Sequence, residues 1–102
     1  MRRIRIAIAQ FSIAEGDLAA NWRSAKAALQ QAGAGRADVV VLPEMWLTGY
    51  PYRRLQELAA ATPESLGRVG VLAKKHGLFV VGSWAEKGED GLPRRITFSE
   101  KS

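Results

Sequence analysis

A chain of 102 residues is at most one domain, or part of one, and its 47% hydrophobic and 25% charged content is that of an ordinary globular protein. The net charge of +5 is scattered in short pairs (Arg2-Arg3, Arg53-Arg54, Lys74-Lys75, Arg94-Arg95), which reads as solvated surface charge and argues against a nucleic-acid-binding tail. With no cysteine in the chain, disulfides, thiolate metal sites and a cysteine nucleophile within these residues are all excluded.

Residues 3 to 11 alternate Ile4, Ile6 and Ile8 against Arg3, Arg5, Ala7 and Ala9, the period-two pattern of a strand with one strongly apolar face. Arg5 and Gln10 interrupt this stretch and no small-residue cleavage site follows, so it does not read as a signal peptide. No window is long and apolar enough for a transmembrane span, and the expected location is the cytoplasm. Asp17 is placed to cap a helix. Leu18, Trp22, Ala25, Leu29 and Ala32 then recur at helical spacing as a core-facing stripe, and Gly33-Ala34-Gly35 ends it.

Asp38 to Leu42 is a short, valine-rich apolar run, suited to a strand buried on both faces of a parallel sheet. Strand, helix, strand at this spacing is a βαβ unit. Pro43 ends the strand because it has no N–H for the ladder, and Glu44 follows at the carboxyl end, where ligands bind in open α/β sheets. Two readings of Glu44 stand. It is a surface carboxylate that bonds nearby backbone, or it is a general base whose affinity for protons is raised by partial burial among Met45, Trp46 and Leu47.

The chain next turns through Thr48-Gly49-Tyr50-Pro51, and residues 52 to 60 suggest a short helix. Trp46, Tyr50 and Tyr52 either line a pocket mouth or cover the core from a loop. Thr62-Pro63-Glu64 is a helix start, with Thr62 as expected N-cap. Leu66, Val69, Ala73 and His76 share a face, Lys74 and Lys75 suit the last turn, and Gly77 is the stop. His76, the single histidine, has no partner in the pattern and reads as structural or solvated. Residues 78 to 85 form a third strand, and Asp90-Gly91 is a hairpin-type signal. Residues 93 to 102 read as a basic, polar tail with only Ile96 and Phe98 apolar.

The stretch Leu42-Pro43-Glu44-Met45-Trp46-Leu47-Thr48-Gly49-Tyr50 resembles the first signature of the nitrilase, or carbon-nitrogen hydrolase, superfamily. The strand Ile6-Ala7-Ile8-Ala9-Gln10-Phe11, the positions of Asp17 and Asn21, and Gly77-Leu78-Phe79-Val80-Val81-Gly82-Ser83 resemble its opening strand, first helix and third strand. The resemblance runs over residues 4 to 92. It implies an α/β fold, part of a four-layer α-β-β-α sandwich, of which three strands and two to three helices are expected here. It also implies a homo-oligomer acting on a small amide or nitrile. The implied chemistry is hydrolysis of a non-peptide C–N bond by glutamate, lysine and cysteine, with no metal and no organic cofactor. The variant of the signature leans towards amidase-like members.

Of the implied triad only Glu44 has a counterpart. The family's lysine and cysteine fall beyond residue 102, and Lys74, Lys75 and Lys87 come too early and on the wrong elements. The chain is therefore expected to be an amino-terminal part (residues 1–92) with a divergent tail (93–102), inactive alone. The change of pattern after Leu92 is what a shifted reading frame or a cut gene would leave. The alternative is a non-catalytic module that self-associates or pairs with a full-length relative, through a sheet face and a strand edge left without partners. A small basic nucleic-acid binder is a third class, motivated by charge alone.

Overall fold

A computed structural model describes residues 3–51, 53–87 and 93–100, and side chains within these except at 55, 56, 86, 87 and 93–100. Seven elements follow in chain order: β1 (Ile6–Ile8), α1 (Leu18–Ala34), β2 (Val39–Val41), α2 (Leu55–Ala59), α3 (Thr62–His76), β3 (Phe79–Lys87) and β4 (Pro93–Glu100). The strands form one sheet in the order β1-β2-β3-β4. The first three run parallel, as the βαβ pattern requires, and β4 pairs antiparallel with β3 from Lys87↔Pro93 to Val80↔Glu100.

β4 raises the strand count from the expected three to four. The stretch read as a basic tail contains Ile96-Thr97-Phe98, a β-prone alternation that its charges obscured. The Asp90-Gly91 turn signal lies outside the described residues.

Helix α1 begins where Asp17 caps it: the carboxylate accepts from the Ala20 N–H at 3.0 Å. Its buried residues are Asn21, Ala25, Leu29 and Ala32, with Leu18 and Trp22 half-buried at the rim. The stripe is thus turned slightly from the expected one, and a polar residue, Asn21, occupies a core position. Helix α3 starts one residue earlier than expected. Ala61 stands at the cap and Thr62 is already helical, because the Thr62 hydroxyl is committed elsewhere: it donates to the Ala85 carbonyl at 2.6 Å and ties α3 to β3. Gly77 ends α3 with φ 64°, a left-handed value that glycine adopts without a steric penalty.

The two sheet faces are unlike. Ala7, Val40 and Val80 pair across β1, β2 and β3 on the face covered by α1 and α3, where Leu29, Val69, Ala73, Trp46 and Trp84 complete the core. The opposite rows are Ile6, Val39, Phe79 and Ile8, Val41, Val81. On that face Ile6 and Ile8 are 62% and 70% exposed, so the most apolar face of β1 points away from the helices and into solvent. Among the described strands, β1 has a neighbour on one side only. Helices over one face of one sheet are two of the four layers implied by the sequence resemblance.

Candidate active site

The site is built on the carboxyl end of β2. The Leu42 N–H makes a last ladder bond to the Val81 carbonyl at 2.8 Å, and Pro43 then releases the chain from the sheet. Residues 44 to 48 form a turn in which Met45 has φ 51°, a conformation that a non-glycine residue rarely holds. That inversion sends Met45, Trp46 and Leu47 inwards, all but fully buried, and leaves Glu44 exposed. The partial burial expected of a general base at Glu44 is therefore absent from this chain: the three apolar neighbours pack beneath the turn and do not enclose the carboxylate. Trp46 lies against Gly82, where an added Cβ would sit 3.3 Å from its ring, and meets Trp84 edge to face with centroids 6.3 Å apart.

The turn is fastened on several sides. The Ser83 hydroxyl accepts from the Met45 N–H at 2.8 Å. Asn21, 1% exposed, donates to the Leu47 carbonyl at 2.7 Å and to the Ala14 carbonyl at 2.8 Å, and accepts from the Ala14 N–H at 2.8 Å. The Gly16 N–H reaches the Thr48 carbonyl at 2.8 Å, and the Gly49 N–H closes back on the Met45 carbonyl at 2.8 Å. Gly49, at φ 67°, packs against Glu15 and Ile13. The loop before α1 and the turn after β2 thus form one hydrogen-bonded unit, with Asn21 as the joint.

At the end of this unit Tyr50 folds back, and its hydroxyl donates to Glu44 Oε1 at 2.6 Å. This is a short bond of the charge-assisted kind, and it orients one carboxylate oxygen. Tyr52, the other expected aromatic of the pocket mouth, lies outside the described residues. Trp46 is core, not pocket lining.

The remaining candidates lie elsewhere. Lys74, Lys75 and His76 are in the last turn of α3, which feeds the amino end of β3. Because β2 and β3 are parallel, that turn is at the opposite end of the sheet from Glu44. The His76 imidazole instead lies on Gly33 of α1, with Nε2 buried and lacking a hydrogen-bond partner among the described residues. An open groove of about 520 Å³ runs beside β1 and α1, lined by Arg5, Ile6, Ile8, Gln31 and Val40 among others; it is an uncovered sheet edge that does not include Glu44. Among the described residues, no group of three or more His, Asp or Glu side chains is placed to hold a metal, and no helix is long and apolar enough to cross a membrane.

Asn21 and Ser83 are the residues whose roles the sequence reading did not supply. Asn21 had a usable signal, since it falls at helical spacing between Asp17 and Ala25 on the buried side of α1. Ser83 had none beyond its place in a strand.

A carboxylate at the carboxyl end of a parallel strand, held by a neighbouring hydroxyl, stands where ligands bind in α/β proteins with open sheets. Comparison with known proteins narrows this. The carbon-nitrogen hydrolase family model matches residues 5–99, which is nearly the whole chain and extends past Leu92 into β4. The chain is 38% identical over 98 residues to the 2-oxoglutaramate amidase of Bacillus subtilis, covering 94% of this chain and 38% of that protein. It is 42% identical over 71 residues to the glutamine-dependent NAD(+) synthetase of Rhodobacter capsulatus, covering 70% of this chain and 13% of that one. Among solved structures, an amidase from Nesterenkonia sp. AN1 superposes with a TM-score of 0.84 at 19% identity, over 97% of this chain and 40% of that one. At that identity the likeness concerns the fold alone. The chain belongs to the carbon-nitrogen hydrolase family, and it spans less than two fifths of the length of the curated relatives it matches.

Proposed function

We propose that this chain supplies the amino-terminal part of an amidase-like carbon-nitrogen hydrolase, and that Glu44 is its general base. The observation that carries this reading is the Glu44 carboxylate at the carboxyl end of β2, with one oxygen bonded by Tyr50 at 2.6 Å, inside the stretch the family model matches. A base needs an accessible carboxylate with a fixed orientation, and the pinned turn provides both. In the proposed reaction Glu44 takes the proton of a cysteine thiol. The thiolate then attacks the carbon of a small amide, and Glu44 returns a proton to the departing nitrogen as ammonia leaves. Water, deprotonated by Glu44, then hydrolyses the thioester. A lysine stabilises the oxyanion in both steps. The cysteine and lysine would come from the portion of the domain that this chain does not cover. A structure of the Nesterenkonia amidase describes covalent addition at an active-site cysteine, which supports the part given to cysteine in this reading. No cofactor, a homo-oligomeric assembly and a cytoplasmic location belong to the same reading.

The test is a chimera. This chain would replace the matching segment of the Bacillus subtilis 2-oxoglutaramate amidase, and ammonia release from small amides would be measured. The expected result is turnover by the chimera and none by the 102-residue chain alone. A folded chimera without turnover, or turnover by the isolated chain, would contradict the proposal.

A second reading, a non-catalytic module that pairs with itself or with a longer relative, is favoured by one observation: the solvent-facing Ile6 and Ile8. Light scattering tests this second reading, since a module of this kind forms a defined oligomer from the chain alone, and it is distinguished from the first by a chimera that folds but shows no turnover.

A further inference from the structure

We propose that Ser83 is a positioning residue for the Glu44 carboxylate, gripping the turn after β2 against the clamp made by Asn21. The inference rests on the reading of Glu44 as a base. Ser83 lies within β3 and is 5% exposed, and Asn21 is 1% exposed. Buried hydroxyl and amide groups destabilise a fold unless they are bonded, and here both are bonded to the backbone of the same five-residue turn. Ser83 holds its beginning, at the Met45 N–H, and Asn21 holds its far side, at the Leu47 carbonyl.

The bond at Met45 matters most because Met45 carries the inverted backbone, φ 51°. A left-handed methionine persists only where the surroundings hold it there. Removing the acceptor for its N–H leaves a buried donor unsatisfied and favours relaxation of that residue. Glu44 precedes Met45 directly, and Tyr50 closes on Glu44 across the whole turn at 2.6 Å. A change of backbone at Met45 therefore swings the carboxylate relative to the tyrosine hydroxyl. Ser83 does not touch Glu44 itself; it sets the distance between Glu44 and Tyr50 by fixing the hinge between them.

The test compares Ser83→Ala and Ser83→Thr with the parent in the isotope-labelled 102-residue chain. Three quantities are read by NMR: exchange of the Met45 amide, the χ1 couplings of Glu44, and cross-relaxation between the Tyr50 ring and the Glu44 methylenes. Tyr50→Phe serves as the reference for a Glu44 carboxylate without the tyrosine bond. With Ser83→Ala the Met45 amide is expected to exchange about tenfold faster, the usual worth of one hydrogen bond. The Glu44 couplings should become averaged as they are in Tyr50→Phe, and Ser83→Thr, which keeps the hydroxyl, should restore both. If Ser83→Ala speeds Met45 exchange but leaves Glu44 in its parent rotamer, Ser83 is merely structural and the proposal fails. It fails equally if Ser83→Thr behaves as the alanine variant. These readouts report geometry alone, so they are independent of whether Glu44 moves protons; that reading fails separately, if Glu44→Gln leaves the chimera active.

Discussion

Replacing Ile6 and Ile8 together by threonine should barely change the stability of this chain. Burying an isoleucine side chain fully is worth about 1.5–3 kcal/mol. Ile6 is 62% and Ile8 70% exposed, so each realises roughly a third of that, and the pair about 1–2 kcal/mol in all. Threonine retains the β-branch that suits a strand and part of the side-chain contact, which reduces the expected loss to about 1 kcal/mol. Were the isoleucine row the core face, as the strongest apolar periodicity in the chain invites, the loss would be about 4 kcal/mol. Urea unfolding measures the difference, and light scattering on the same samples should show less association in the variant, because the substitution breaks up an exposed apolar surface. A destabilisation beyond about 3 kcal/mol with unchanged association would refute the assignment of this face to solvent.

Gly33→Ala should destabilise, by about 1–3 kcal/mol, although glycine to alanine in a helix ordinarily stabilises by about 1 kcal/mol, because the new methyl meets the His76 ring closer than real contacts allow. His76→Ala in the same chain should recover most of the loss, and a thermal double-mutant cycle that found the two changes additive would contradict the contact. Asn21→Ala should lower stability by about 2–3 kcal/mol, since it strands the Leu47 carbonyl and the Ala14 N–H, while the Ala14 carbonyl keeps the Asp17 N–H at 3.0 Å. A loss under about 1 kcal/mol in chemical unfolding would mean that water satisfies those groups instead.

The fold was legible where local chemistry and long-range packing agree. Asp17 caps α1, Gly77 ends α3, and the valine run is β2 in a parallel sheet, because each signal is local and nothing distant competes with it. It was misread where a residue pairs with something distant in the chain. Thr62 looks like a cap and bonds Ala85; Arg94 and Arg95 look like a tail and lie in β4. The isoleucines of β1 show that periodicity identifies an apolar face without saying what covers it: in this chain the weaker alanine face meets the helices. At the site, Glu44 and its strand-end position could be read from sequence, and its role as the base remains the proposal above. Its exposure could not be read, because it depends on the backbone inversion at Met45 and on Ser83, which is 38 residues away.

Glu44 is proposed to move the protons of a C–N hydrolase. The most direct measurement is Glu44→Gln in the chimera with the Bacillus subtilis amidase, comparing ammonia release with that of the unsubstituted chimera. Glutamine keeps the shape and still accepts from Tyr50, but it cannot take up a proton, so the turn stays formed while the base is lost. The expected result is a fall in kcat of about 10²–10⁴-fold with the fold intact. Turnover within a few-fold of the unsubstituted chimera would contradict it, and would leave Glu44 as a surface carboxylate held by a tyrosine.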